Sequence, residues 1–174
     1  MTDNLVTINE AELIVAAEKG FDEFVDVFVE ATYKAIGGQL DAEAMQRLNA
    51  HQVTLLAYRI LRDEVMDGGF VQLIHNGYGP FIFKNPFARM MREWGIDELA
   101  TLVNKAHRLY KKHHVEIEKE CGDDEFMALF EQFAQFDECD DCFVEHEEEW
   151  TTLVAAYVDE HIDRFATVMS LKEE

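Results

Sequence analysis

No apolar run in this sequence approaches the length a membrane span requires. The longest, such as LIVAA at residues 13–17, fall far short of the roughly 18–20 residues needed. The first ten residues, MTDNLVTINE, carry no basic cluster of the kind that opens a secretory signal. Both absences lead us to expect a cytoplasmic protein with no membrane partner. Cysteine is scarce and odd in number: any disulfide scheme for 3 cysteines leaves a thiol over, and a 174-residue chain that is 48% hydrophobic with 13 Phe needs no cross-link to hold a core. Reduced thiols are expected. The common catalytic signatures are missing as well. There is no HExxH, P-loop or GxSxG, and no histidine has a glutamate three residues before it, which excludes the Glu-x-x-His pairs of a di-iron bundle. We expect no enzyme and no cofactor.

Basic residues are the other shortage. Against 36 Asp and Glu stand 15 Lys and Arg, for a formal net charge of −21. Residues 1–50 hold 10 acids and 3 bases, residues 51–114 hold 6 and 9, and residues 115–174 hold 20 and 3, so the local net charges are −7, +3 and −17. Such a field repels nucleic acid and anionic membranes and attracts basic protein surfaces.

Helical spacing of apolar residues prevails almost throughout, and no run alternates with period two for long enough to suggest a sheet. The expected fold is all-α, a single compact multi-helix domain over residues 1–174 with an acidic face. Asn9 and Glu12 have capping-box spacing for a short first helix. Phe21, Phe24, Val25, Phe28 and Ala31 form the core stripe of a second, ended by Gly37-Gly38. Asp41 caps a third, which carries Met45, Leu48, Leu55, Leu56 and Ile60 inward and runs until Asp67-Gly68-Gly69. Residues 70–90 mix a short helical stretch with the turn signals Asn76-Gly77, Gly79-Pro80 and Asn85-Pro86, and Phe81, Phe83 and Phe87 call for burial. Further helices are marked by Leu99, Leu102, Val103, Ala106 and Leu109, by Phe126, Leu129, Phe130 and Phe133, and by Trp150, Leu153, Val154, Tyr157, Val158, Ile162 and Phe165.

Residues 136–150, FDECDDCFVEHEEEW, hold eight carboxylates and no lysine or arginine. Cys139, Cys142 and His146 have permissive zinc spacing, with Cys121, His113 or His114 as a fourth ligand. The flanking acids raise thiol pKa, however, and the CxxC leads into a helix with no glycine nearby. The same repulsion opposes a thioredoxin-like pair. An EF-hand register from Asp137 fails at Cys139 and Cys142. His113-His114 beside Lys111-Lys112 read as a solvated helix end.

The acids themselves form a pattern. Side chains at i, i+3 and i+4 of a helix lie about 5–6 Å apart at Cβ. Asp137, Asp141, Glu145 and Glu148 follow these steps, as do Glu138 and Asp141, and the spacing is of the order of that between phosphates along a nucleic-acid strand. Each like-charged pair costs roughly 0.2–0.5 kcal/mol, so helix stability does not account for their accumulation. A surface used for its charge does.

The stretch DEVMDGGFVQLIHNGYG, residues 63–79, resembles a bacterial family first catalogued as a domain of unknown function, whose namesake is a nineteen-kilodalton DNA mimic. The matching positions are Glu64, Asp67, Gly68, Gly69, Phe70, Gln72, Asn76 and Gly77, and Asp67 stands where the family pattern has asparagine. The tail FDECDDCFVEHEEEWTTLVAAYVDEHIDRF resembles the family's Asp-Asp-x-Phe segment and closing Tyr-x-x-x-His helix, for a family-like core over about residues 45–165. In that tail Cys139 and Cys142 look like local substitutions.

The resemblance implies a helical fold and a non-enzymatic role. The namesake occupies the DNA-binding surface of a transcription factor and of a histone-like protein, so that DNA is excluded. The expected function is therefore that of an acidic DNA mimic whose partner is a basic DNA-binding protein, a helix-turn-helix regulator or a histone-like nucleoid protein, with no direct nucleic-acid contact. The expected partner-binding residues are Glu116, Glu118, Glu120, Asp123, Asp124, Asp137, Glu138, Asp140, Asp141, Glu145, Glu148 and Glu149, with Asp22, Glu23, Asp26 and Glu30 from the N-terminal region. A homodimer would extend the acidic face. The rival readings are a metal-binding helical protein using Cys139, Cys142 and His146, and an enzyme or immunity-type factor with a pocket near residues 67–85. The Gly68-Gly69 motif is read as structural, a turn around which Phe70 packs and Gln72 hydrogen-bonds.

Overall fold

The computed structural model describes residues 4–170. The fold is all-α: among the described residues ten α-helices account for most of the chain, with two three-residue strands and one 3-10 turn. No described helix is long and apolar enough to cross a membrane. The chain divides into two compact units. One comprises the described residues up to Leu56 together with those from Glu149 onward, and the other is Ala57–Glu148.

In the first unit, β1 (Thr7–Asn9) pairs in parallel with β2 (Thr167–Met169), with Ile8 opposite Val168. Three residues give period two no room to show, which is why the sequence pattern missed this sheet. The Asn9 side chain accepts the Ala11 N–H at 2.8 Å and so caps α1 (Glu10–Lys19). α2 (Phe21–Ala35) buries Phe24, Val25 and Phe28, while Phe21, expected in that stripe, is 57% exposed at the first position of the helix. Gly37 and Gly38, both at positive φ, end α2, with the Gly38 N–H donating to Tyr33 O at 2.7 Å. Phe28 packs edge-on against Phe24 and Phe165.

Asp41 caps α3 (Ala42–Arg47) as expected, its carboxylate accepting the Ala44 N–H at 2.8 Å. The single helix expected from Asp41 to Gly69 is in fact two. Leu48 is extended, and a new start forms at Asn49, where Asn49 Oδ1 accepts the Gln52 N–H at 2.9 Å and Gln52 Oε1 accepts the Asn49 N–H at 3.0 Å. This reciprocal box was legible as Asn-x-x-Gln. Gln52 also donates to Phe165 O at 2.9 Å and Asn49 to Arg164 O at 2.8 Å, fastening α10 (Ile162–Phe165).

α4 (Ala50–His75) contributes to both units and does not stop at Gly68-Gly69. It kinks there, with Gly69 at φ 75°, and resumes at Phe70. The second unit continues with α5 (Gly79–Phe83), α6 (Phe87–Glu93), α7 (Asp97–Ile117), α8 (Asp123–Gln132) and a 3-10 turn at Ala134–Phe136. Phe70, Leu73, Phe83, Phe87, Met91, Leu99 and Phe136 are buried. α9 (Asp137–Glu160) then runs unbroken for 24 residues, joining the acidic segment to the Trp150 helix. Its buried stripe is Cys139, Phe143, Trp150, Val154 and Val158.

Candidate functional site

The buried stripe of α9 dictates where its acids go. Cys139 and Phe143 face inward, so Asp137, Glu138, Asp141, Glu145, Glu148 and Glu149 are all exposed. From Asp137 to Glu148 the row spans about 16 Å at 1.5 Å per residue, the axial length of about five base pairs. Glu138 is partly offset by Lys105, 2.9 Å away across from α7, and this contact raises the lysine's pKa.

Other acids of the second unit surround the α7–α8 connection. Glu116, Glu118 and Glu120 are exposed at the end of α7, and Asp123 and Asp124 are exposed in the first turn of α8, where the helix dipole favours them. Glu116 accepts from Gln132 Nε2 at 3.3 Å. Glu118 lies 3.1 Å from His114 Nδ1 and accepts from the Tyr110 hydroxyl at 3.5 Å; burial, and then this carboxylate, raise the Tyr110 pKa. His75 Nδ1 meets Ile117 O at 2.7 Å while its ring rests on Phe126, which ties the end of α4 to the connection. In the first unit Asp22, Glu23 and Glu30 are exposed along α2 and Asp26 is half-buried.

Asp140 departs from the rest. Its carboxylate is half-buried and accepts the Phe70 N–H at 2.8 Å across the kink in α4. Burial pushes its pKa up to about 6, opposed by the Phe70 hydrogen bond and reinforced by Asp137 and Asp141. A Cβ on Gly69 would collide with this carboxylate. Asp140 therefore seals the kink instead of lying open with its neighbours. Glu147 is also turned inward, only 8% exposed and 2.7 Å from Arg62 Nε.

The glycine motif works on the same kink. Gln72 Nε2 donates to Glu64 at 3.0 Å and to Asp67 at 2.9 Å, and Asn76 Nδ2 donates to Glu64 at 2.9 Å. Asp67 acts only as an acceptor in this clasp, a role that an asparagine carbonyl fills equally well. The sequence quoted both halves of the arrangement, residues 64–77 and Asp140. Nothing in the linear pattern announced that they meet.

The ligands of the metal reading do not converge. Cys139 is fully buried, and desolvation pushes its thiol up to about 11, opposed by Lys105 and reinforced by Asp140 and Glu138. His146 Nδ1 lies 2.8 Å from Cys142 O in its own helix and 3.9 Å from Cys142 Sγ, while His113 packs on Phe133. Among the described residues no group of three or more His, Cys, Asp or Glu is placed to hold a metal. The unbroken helix from Asp137 also rules out an EF-hand loop there. Near residues 67–85, an open cleft of about 610 Å³ is lined by Arg59, Arg62, Asp63, Glu64, Met66, Asp67, Gln72 and Glu147. It includes Asp67 and Gln72, whereas Ile82 and Phe83 go to the core.

The molecule is thus a predominantly helical protein whose last long helix exposes a row of acids and buries a stripe that includes Phe143 and Trp150. The chain belongs to the family described as DMP19-like protein, which matches residues 46–161. The chain is also similar to the DNA mimic protein DMP19 of Neisseria meningitidis serogroup B, 36% identical over 131 residues that cover 75% of this chain and 79% of that protein.

Proposed function

We propose that this protein is a non-enzymatic acidic DNA mimic that occupies the DNA-binding surface of a basic protein and thereby excludes DNA. The observation that carries the reading is the exposed row Asp137, Asp141, Glu145 and Glu148 on one helix, held there by the burial of Cys139 and Phe143 between them. Membership of the DMP19-like family and similarity to a protein named a DNA mimic support it. The partner is a helix-turn-helix regulator or a histone-like protein, in which lysine and arginine placed for phosphates meet these carboxylates instead.

Glu138 and Glu149 flank the row on α9, and Glu116, Glu118, Glu120, Asp123 and Asp124 add exposed carboxylates around the α7–α8 connection. Asp22, Glu23, Asp26 and Glu30 add a second set on α2. The role is collective, since each exposed pair contributes well under about 1 kcal/mol.

The test is a pull-down from lysate at low and high salt, followed by gel competition with DNA for each basic protein recovered. Release of DNA as the acidic chain is added, weakening steeply with salt, supports the reading. Recovery of basic proteins that keep their DNA refutes it.

A further inference from the structure

The family match begins at residue 46, and the acid row of α9 does not explain the surface built before it. α1 and α2 pack on each other and leave an open groove of about 510 Å³ between them. It runs into a second hollow of about 410 Å³ that shares Glu12, Val27 and Glu30 with it and reaches Met169. The floor is apolar: Val15 is 51% and Met169 53% open to water, and half-buried Val27 lines both hollows between them. The charged lining is net acidic, with Glu12, Glu23, Asp26 and Glu30 against Lys19 and Lys34.

The placement of Val27 is informative. Glu23, Asp26 and Glu30 follow i, i+3 and i+4 steps along α2, and half-buried Val27 lies beside that acid row, so the groove sets an apolar side chain next to its carboxylates. From Glu23 to Ala31 the groove runs about 12 Å along α2, a little over two helical turns.

We propose that this groove docks a basic amphipathic helix of the partner, with its apolar face on Val15, Val27 and Met169 and its flanking lysines and arginines on Glu12, Glu23 and Glu30. The net acidic lining selects this occupant by charge complementarity, and a second copy of this chain, at a net charge of −21, would bring predominantly like charge. The inference deepens the mimic reading and rests on it only for the kind of partner, a basic DNA-binding protein.

Two synthetic peptides of about 18 residues, made from the same leucines, lysines and alanines, test it with the intact protein. One ordering gives a continuous apolar face and the other disperses the leucines. Labelled-peptide anisotropy at about 0.1 and 0.5 M salt measures affinity, and amide NMR shifts locate the site. The expected result is at least about tenfold tighter binding of the amphipathic order, retained at high salt, with shifts confined to Ala11–Lys34 and the vicinity of Met169. Val15→Glu adds an acid at an exposed position and is expected to weaken binding by about tenfold.

Equal binding of the two peptides, shifts on the α9 row, or unimpaired binding to Val15→Glu would overturn the proposal, because each means that charge alone is read. A free protein that sediments as a dimer and is dissociated by Val15→Glu would overturn it too, since the occupant would then be a second copy. The DNA-competition gel reports on the mimic reading separately, so failure of one leaves the other standing.

Discussion

Asp140 offers a prediction in which sign and size both follow from structure. Its carboxyl titrates near 6 against an ordinary value of 3.8, chiefly because burial disfavours the charge. The folded state therefore prefers the protonated form. Stability from this group is greatest below about pH 4 and is lost as pH rises through 6. The full difference of about 2.2 pKa units corresponds to roughly 3 kcal/mol, and solvent screening at a half-buried site reduces it to about 1–2 kcal/mol. Asp140→Asn keeps an oxygen that can accept the Phe70 N–H and removes the charge. It should stabilise the protein by about 1–2 kcal/mol at pH 7.5, equivalent to a few degrees in Tm, with a much smaller gain at pH 4. Asp140→Ala, which leaves the Phe70 N–H without its acceptor, should instead cost about 1–3 kcal/mol at pH 4. Thermal and urea melts of the three proteins from pH 4 to 7.5 measure this, and each difference from wild type cancels the other carboxylates. A gain for Asp140→Asn that does not change with pH, or a loss at pH 7.5, would refute the account of a carboxylate held in place against its own desolvation.

Three further outcomes are expected. Joint reversal of Asp137, Asp141, Glu145 and Glu148 to lysine should abolish competition with DNA while the helix content by circular dichroism holds, whereas any one reversal should weaken competition only a few-fold. Arg62→Met, which removes the 2.7 Å contact to buried Glu147, should destabilise by about 1–3 kcal/mol, and adding Glu147→Leu should restore most of that in a double-mutant cycle. In a thiol-modification time course on the folded protein, half-buried Cys121 and Cys142 should react while Cys139, buried and raised to about 11, reacts only after denaturant is added; rapid labelling of all three would contradict the placement of Cys139 in the core.

Much of the fold was legible because helical period and capping chemistry are local. Asn9, Asp41 and Gly37-Gly38 did what their residue types dictate. The misses share a cause, which is that contacts distant in sequence decided between local options. Gly68-Gly69 reads as a helix stop, yet the chain resumes because Asp140, 70 residues from Phe70, satisfies the N–H that the kink frees. Phe21 carries the apolar spacing of a core residue but sits where α2 begins, on a rim that the core does not reach. The CxxC spacing, already opposed in the sequence by its flanking acids, says nothing of where the thiols go, and only the packing of α9 makes Cys139 one rung of a buried stripe. The acid row was readable for the same reason as the caps, since i, i+3 and i+4 spacing on a helix needs no tertiary information.

That division bears on how the acids are kept. Four like charges in sequence along one helix face oppose helix formation by up to about 1.5 kcal/mol in sum. The same helix buries Phe143, Trp150, Val154 and Val158, and fully burying side chains of this size contributes about 1.5–3 kcal/mol each. Repulsion is thus outweighed several-fold by the opposite side of the same element, and the charge can be concentrated without loss of the helix. Asp140 and Glu147 show where the arrangement reaches its limit. These two acids of the segment turn inward, and each meets a donor there, the Phe70 N–H for one and the Arg62 guanidinium for the other. The acids left in water are the ones that the helix can spare for a partner.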